Sequence, residues 1–154
     1  MRIGCAVVPP DLVGIFTAAR ALNDTHSPLI DQAILTEFIG DGHFVRHIRR
    51  MRTLYEVRQQ TLIAECEKNL AELLEVKKAD AGMHVVGWLP EGVSDNAISR
   101  KAADQNLKLA PISAYCAKEL PRGGLILGYT AFEKNQIKEG VKKMKAILSF
   151  EISK

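Results

Sequence analysis

Phe44, Ile48, Met51, Tyr55, Leu62, Cys66, Leu70 and Leu73 follow one another at steps of 4, 3, 4, 7, 4, 4 and 3. That spacing fits a 3.6-residue period. It predicts one long helix from His43 to about Leu74. The rest of the chain has to be arranged around that rod, and its pattern differs on the two sides. Before the rod, Ile3-Gly4-Cys5-Ala6-Val7-Val8 is a nearly continuous apolar run of the kind found in strands buried on both faces. Pro9-Pro10-Asp11 opens a helix carrying Leu12, Ile15, Phe16, Ala19 and Leu22 on one face. Ser27-Pro28 reads as a second helix start, and Gly40-Asp41-Gly42 ends that helix.

After the rod the rhythm turns to short strands. Met83–Leu89, Leu107–Ile112 and Leu125–Tyr129 read as strands, with Leu74 to Val76 as a possible fourth. Ser94 or Asp95 caps a short helix through Ile98, Ala102 and Ala103. Thr130 and Glu133 have capping-box spacing ahead of a helix carrying Ile137, Val141, Met144 and Leu148. The fold class expected is α/β, with an α+β small domain. A small, mainly antiparallel sheet is covered by helices and preceded by the long helix and an isolated strand.

Size and composition agree with a packed domain. The chain has 154 residues, 47% hydrophobic and 25% charged, close to the globular average. Twenty-one Lys and Arg against 18 Asp and Glu leave a net charge of +3, too mild to mark a nucleic-acid binder by itself. Cys5, Cys66 and Cys116 are odd in number and far apart, which argues against a disulfide framework and fits a reducing compartment. The early apolar run is too short for a membrane span or a signal-peptide core, so a soluble, cytoplasmic protein with no membrane partner is expected.

Several residues are candidates to carry chemistry. Arg46, Arg49, Arg50, Arg52 and Arg58 stand against Glu56 alone between His43 and Arg58, a density that could bind phosphates. They are interleaved with the apolar stripe and surround the helix, which favours a solvated or partner-pairing role. His43 and His47 are spaced to share a metal, but no glutamate lies between them and no third ligand is evident. His26 and His84 read as capping or packing residues. No cysteine has an adjacent base, Ser113-Ala114-Tyr115-Cys116 holds no nucleophile elbow, and Arg122-Gly123-Gly124-Leu125 is too short for a phosphate loop. No complete catalytic constellation emerges from spacing.

The order of certain segments is more specific. Arg2-Ile3-Gly4-Cys5-Ala6-Val7-Val8-Pro9-Pro10 resembles a segment of fold-type I aminotransferases, above all the aminotransferase-like domain of MocR-subgroup GntR-family transcriptional regulators. Gly42-His43-Phe44, Arg46 through Arg52, Tyr55 and Arg58 resemble that subgroup's long helix, and the preceding Gln32 and Phe38 also fit its pattern. Asp80-Ala81-Gly82-Met83-His84, Leu127-Gly128-Tyr129, Ile137, Glu139 and Gly140 continue the likeness over nearly the whole chain.

The resemblance implies pyridoxal phosphate in full-length relatives, and none is expected for this chain alone. It assigns the cofactor's phosphate to Arg2. It places the Schiff-base lysine, the aspartate for the pyridine nitrogen and a DNA-binding winged helix upstream of the matched region. No catalytic residue and no metal ligand is therefore expected here. The arginine that grips a substrate carboxylate in typical aminotransferases corresponds to Ile126. Residues 1–42 are expected to be a remnant of the large domain, 43–74 the connecting helix and 75–154 the C-terminal small domain. The expected function is a non-catalytic part of a regulator, serving effector-side packing and subunit contacts, with no autonomous DNA binding. Self-association or the missing large-domain segments would cover its open surfaces. The alternatives are a fragment of a working class I/II aminotransferase and a stand-alone basic nucleic-acid-binding protein.

Overall fold

A computed structural model describes residues 3–24 and 28–152, which fall into two compact units, 1–50 and 51–154. In the first unit a 3-10 turn over Pro10–Leu12 leads into α1 (Val13–Asn23), and α2 (Leu29–Gly40) follows. Pro28 occupies the cap position of α2 in an extended conformation. The expected capping residue Ser27 lies outside the described residues, as do Arg2 and His26. A turn through Asp41 and Gly42 starts α3 (His43–Leu70), which crosses from the first unit into the second.

The expected strand at Ile3–Val8 is not formed: residues 3–9 are neither helix nor strand. The reason lies in hydrogen bonding. Every strand among the described residues comes from 75–128, and none of them pairs with the run, which leaves it without ladder hydrogen bonds. Ile3 and Val7 remain exposed. Neither α1 nor α2 buries a residue.

The second unit is built on a four-stranded antiparallel sheet of β1 (Glu75–Val76), β2 (His84–Trp88), β3 (Ala110–Pro111) and β4 (Gly124–Gly128), in the order β1-β2-β4-β3. Period-2 alternation sends Val85, Gly87, Leu125 and Leu127 to one face, all buried, and Val86 and Ile126 to the other, half-buried. The buried face closes one core with Leu62, Cys66 and Leu70 of α3, Ile98 and Ala102 of α4 (Asp95–Asp104), and Ile137, Val141, Met144 and Leu148 of α5 (Lys134–Ile152). Gly87 is required by this packing. A Cβ there would stand 2.7 Å from Leu74 Cδ2, well inside van der Waals contact.

Three local readings are corrected by hydrogen bonding. The long helix stops at Leu70, where the Leu73 and Leu74 N–H groups both return to the Leu70 carbonyl, and β1 begins at Glu75. The expected strand Leu107–Ile112 shrinks to Ala110–Pro111. The Leu107 N–H donates to Ala102 O at 2.8 Å and the Ser99 hydroxyl donates to Leu109 O at 2.6 Å, which holds the segment against α4. The cap of α5 moves from Thr130 to the residue before Lys134: the Glu133 N–H donates to Gln136 Oε1 at 2.8 Å. Ser94 caps α4 as expected, accepting from the Ala97 N–H at 3.3 Å.

Candidate functional site

Because 106–109 is drawn toward α4 while β4 runs straight, the ladder opens beyond the pair Ala110–Ile126. Asn106 completes the divergence in the left-handed region, at φ 57°. The opening is a groove of about 800 Å³ between this segment, the end of β4 and the flank of α5. Its walls include Leu107, Ile126, Leu127, Phe132 and Met144, with His84 at one edge and Lys108 at another. Gly128 shapes the histidine edge. A Cβ at 128 would lie 3.2 Å from His84 Cδ2, so the glycine lets the imidazole rest against the strand.

A buried polar latch fixes the strand ends that flank this groove. Gln59 is 5% exposed. Its Nε2 donates to Ala79 O at 3.0 Å and to Tyr129 Oη at 3.1 Å. The Tyr129 hydroxyl in turn donates to Gly82 O at 2.9 Å. One helix is thereby tied to the turn preceding β2 and to the residue following β4. Beside it the Arg58 guanidinium donates to Thr130 O and to Glu133 Oε1, the latter at 2.6 Å. Arg58 is thus a partner-pairing arginine. Gln59 was missed by apolar pattern alone, yet it left a signal: it fills the single seven-residue step in the stripe, four residues after Tyr55.

A second network anchors the other end of β4. The Asp95 carboxylate accepts from the Ser113 N–H at 3.1 Å, the Ser113 hydroxyl at 2.8 Å and the Gly124 N–H at 3.3 Å. Burial opposes its charge, but these donors outweigh burial and hold its pKa below the ordinary aspartate value. The pull on Ser113 also explains why Ile112–Tyr115 is a 3-10 turn instead of further strand.

The remaining candidates separate. Among the described residues no group of three or more His, Cys, Asp or Glu is placed to hold a metal. His43 stacks on Phe38 at 5.8 Å between centroids, and its Nδ1 lies 3.1 Å from Arg46 Nη2. Cys66 is buried, and burial with the nearby Glu65 and Glu67 carboxylates pushes its thiol up to about 12, which makes it inert. Cys5 and Cys116 are free and exposed. Arg122 donates to Glu75 Oε2 at 2.7 Å and lies over the Trp88 ring at 5.3 Å. Hydrogen bonds from Lys77 and then Arg122 lower the Glu75 pKa. Arg122 is therefore held at the opposite end of β4 from Gly128. Among the described residues no helix is long and apolar enough to cross a membrane.

The second unit's sheet with its covering helices is the fold seen in aminotransferases. The multiple substrate aminotransferase from Thermococcus profundus superposes with a TM-score of 0.86 over 94% of this chain and 36% of its own, at 23% identity. No family model matches the sequence. Individual relatives do. The probable rhizopine catabolism regulatory protein MocR of Rhizobium meliloti is 35% identical over 99% of this chain and 31% of its own length. The 2-aminoadipate transaminase of Thermus thermophilus is 24% identical over 94% of this chain and 36% of its own. The chain is thus homologous to part of the aminotransferase-like domain found in MocR-subgroup GntR regulators and fold-type I aminotransferases. It spans about a third of the length of these relatives.

Proposed function

We propose that the chain is the non-catalytic C-terminal portion of the aminotransferase-like domain of a MocR-type transcriptional regulator, where it supplies the effector side and subunit contacts. The observation that carries the reading is Ile126. It is half-buried in β4, paired with Val86 on one side and Ala110 on the other, and it faces the groove. The family resemblance assigns that position to the arginine of carboxylate-gripping relatives. The other nearby arginine, Arg122, is engaged with Glu75 and Trp88. An amino-acid carboxylate entering the groove meets apolar wall where catalysis would need a guanidinium fork.

Full-length relatives imply pyridoxal phosphate. The one residue assigned to it here, Arg2, lies outside the described residues. The described lining residues include neither an arginine nor a carboxylate, the charges that a phosphate and a pyridinium nitrogen call for, so those residues alone do not fit that cofactor. The exposed apolar residues of the first unit, Phe16, Leu22 and Ile30 among them, fit a surface covered by large-domain segments of the kind the longer relatives carry or by a second copy.

The second reading, part of a working aminotransferase, draws on the likeness to the Thermus transaminase. Two measurements separate the readings. The chain is mixed with pyridoxal phosphate and an amino donor, and amino transfer is followed together with absorbance. No turnover and no saturable attachment to one lysine are expected; specific turnover overturns the proposal. The coding sequence upstream of Met1 is then read: a winged-helix segment supports the regulator, and a lysine-bearing strand without one supports the enzyme.

A further inference from the structure

The groove beside β4 has a charge pattern as well as a volume. Its size, about 800 Å³, lies within the range of small-molecule sites. The hydrogen bonds at Leu107 and Leu109 and the left-handed Asn106 hold it open. Two aromatics that border it, Tyr115 and Phe132, are 73% and 48% exposed. An apolar body is what such walls stabilise on binding, through area removed from water. Among the described lining residues Lys108 alone carries a fixed charge, and none is Asp or Glu.

We propose that the groove binds a small organic acid with an apolar body and no amino group. The body lies against Ile126 and Phe132, and the anionic head meets the Lys108 ammonium. An amino acid of the same skeleton is disfavoured for a definite reason. Its ammonium loses water on entering, and no carboxylate among the described lining residues receives it. The inference rests on the reading of the groove as the effector side. It names the ligand class that side takes, and it does not depend on whether the chain catalyses transamination.

The test is a charge series on one skeleton, titrated into the full 154-residue chain and followed by NMR at the His84 ring and the Ile126 methyls. The probes are 3-phenylpropanoate, 3-phenylpropanol, phenylalanine and 2-phenylethylamine. The acid is expected to bind best, the alcohol next, then the zwitterion, with the amine weakest. Lys108 is exposed, so Lys108→Met should leave the fold intact. It should weaken the acid about three- to fivefold, the reach of a solvent-accessible ion pair, and leave the alcohol unchanged. Phe132→Ala should weaken acid and alcohol alike. Phenylalanine binding as tightly as the acid overturns the proposal. So does a Lys108→Met chain that still prefers the acid, or shifts that map away from the groove. Amino transfer in the presence of pyridoxal phosphate would overturn the regulator reading while leaving this ranking intact, so the two failures are told apart.

Discussion

Helices α1 and α5 have comparable apolar patterns and opposite outcomes. In α1 the residues at helical spacing, Ile15, Phe16 and Leu22, are 65%, 52% and 90% exposed. In α5 the corresponding set, Ile137, Val141, Met144 and Leu148, is buried at 5% exposure or less. The difference is the layer each helix has to lie on. The second unit contains a sheet whose inner face needs covering, and the first unit contains no strand among its described residues. An amphipathic pattern is thus a demand for a partner. It stabilises only where the partner is present.

The sharpest way to break this contrast is to place the same charge in both helices. Val141→Asp buries an unpaired carboxylate at a 1%-exposed site and should cost at least ~3 kcal/mol, read as a large fall in melting temperature. Lys142→Asp, one residue on and exposed, should change the melt by no more than ~0.5 kcal/mol. Equal melts would mean that the wrong face of α5 has been assigned to the core. Next in size, Gly87→Ala pushes a methyl into Leu74 and should cost about 2 kcal/mol by overpacking, measured by denaturant midpoint.

Asp95→Asn sharpens the account of what holds β4. Asparagine turns an NH2 toward donors that now meet a carboxylate, at a cost of about 1.5 kcal/mol at neutral pH. Since the folded pKa lies below the unfolded one, the wild-type advantage is complete above the unfolded value, about pH 4. It disappears as pH falls through the folded value. The two stability curves should therefore converge in acid, and a gap that stays constant below pH 4 contradicts the assignment. Tyr129→Phe removes the hydroxyl that bridges Gln59 and Gly82 and should cost about 1 kcal/mol. At the small end, Leu22→Asp in α1 should move the chain's melt by less than ~0.5 kcal/mol. A fall as deep as that of Val141→Asp would show that α1 packs in solution.

The sequence was most legible where local chemistry and long-range packing agree. The α5 stripe, the Ser94 cap and the core of β2 and β4 could all be read before any fold was known, because each follows from period and capping alone. Ile3–Val8 was misread because an apolar run reports the wish for a ladder and not its existence. Leu107–Ile112 was overextended because Ser99 and Ala102, several residues earlier in the chain, compete for its hydrogen bonds. The groove that results could not be read from spacing, since it is the space left when two segments diverge. Ile126 was found through the family resemblance, and its neighbours Lys108 and Phe132 were joined to it only by the fold.

The central claim is that the second unit carries a self-sufficient core and the first unit does not. Native-state hydrogen exchange on the whole chain tests it directly. Amides of 62–70, 84–88, 124–128 and 137–148 should exchange together, at the free energy of global unfolding. Those of 13–23 and 29–40 should exchange orders of magnitude faster. Equal, cooperative protection across α1, α2 and α5 would contradict the account.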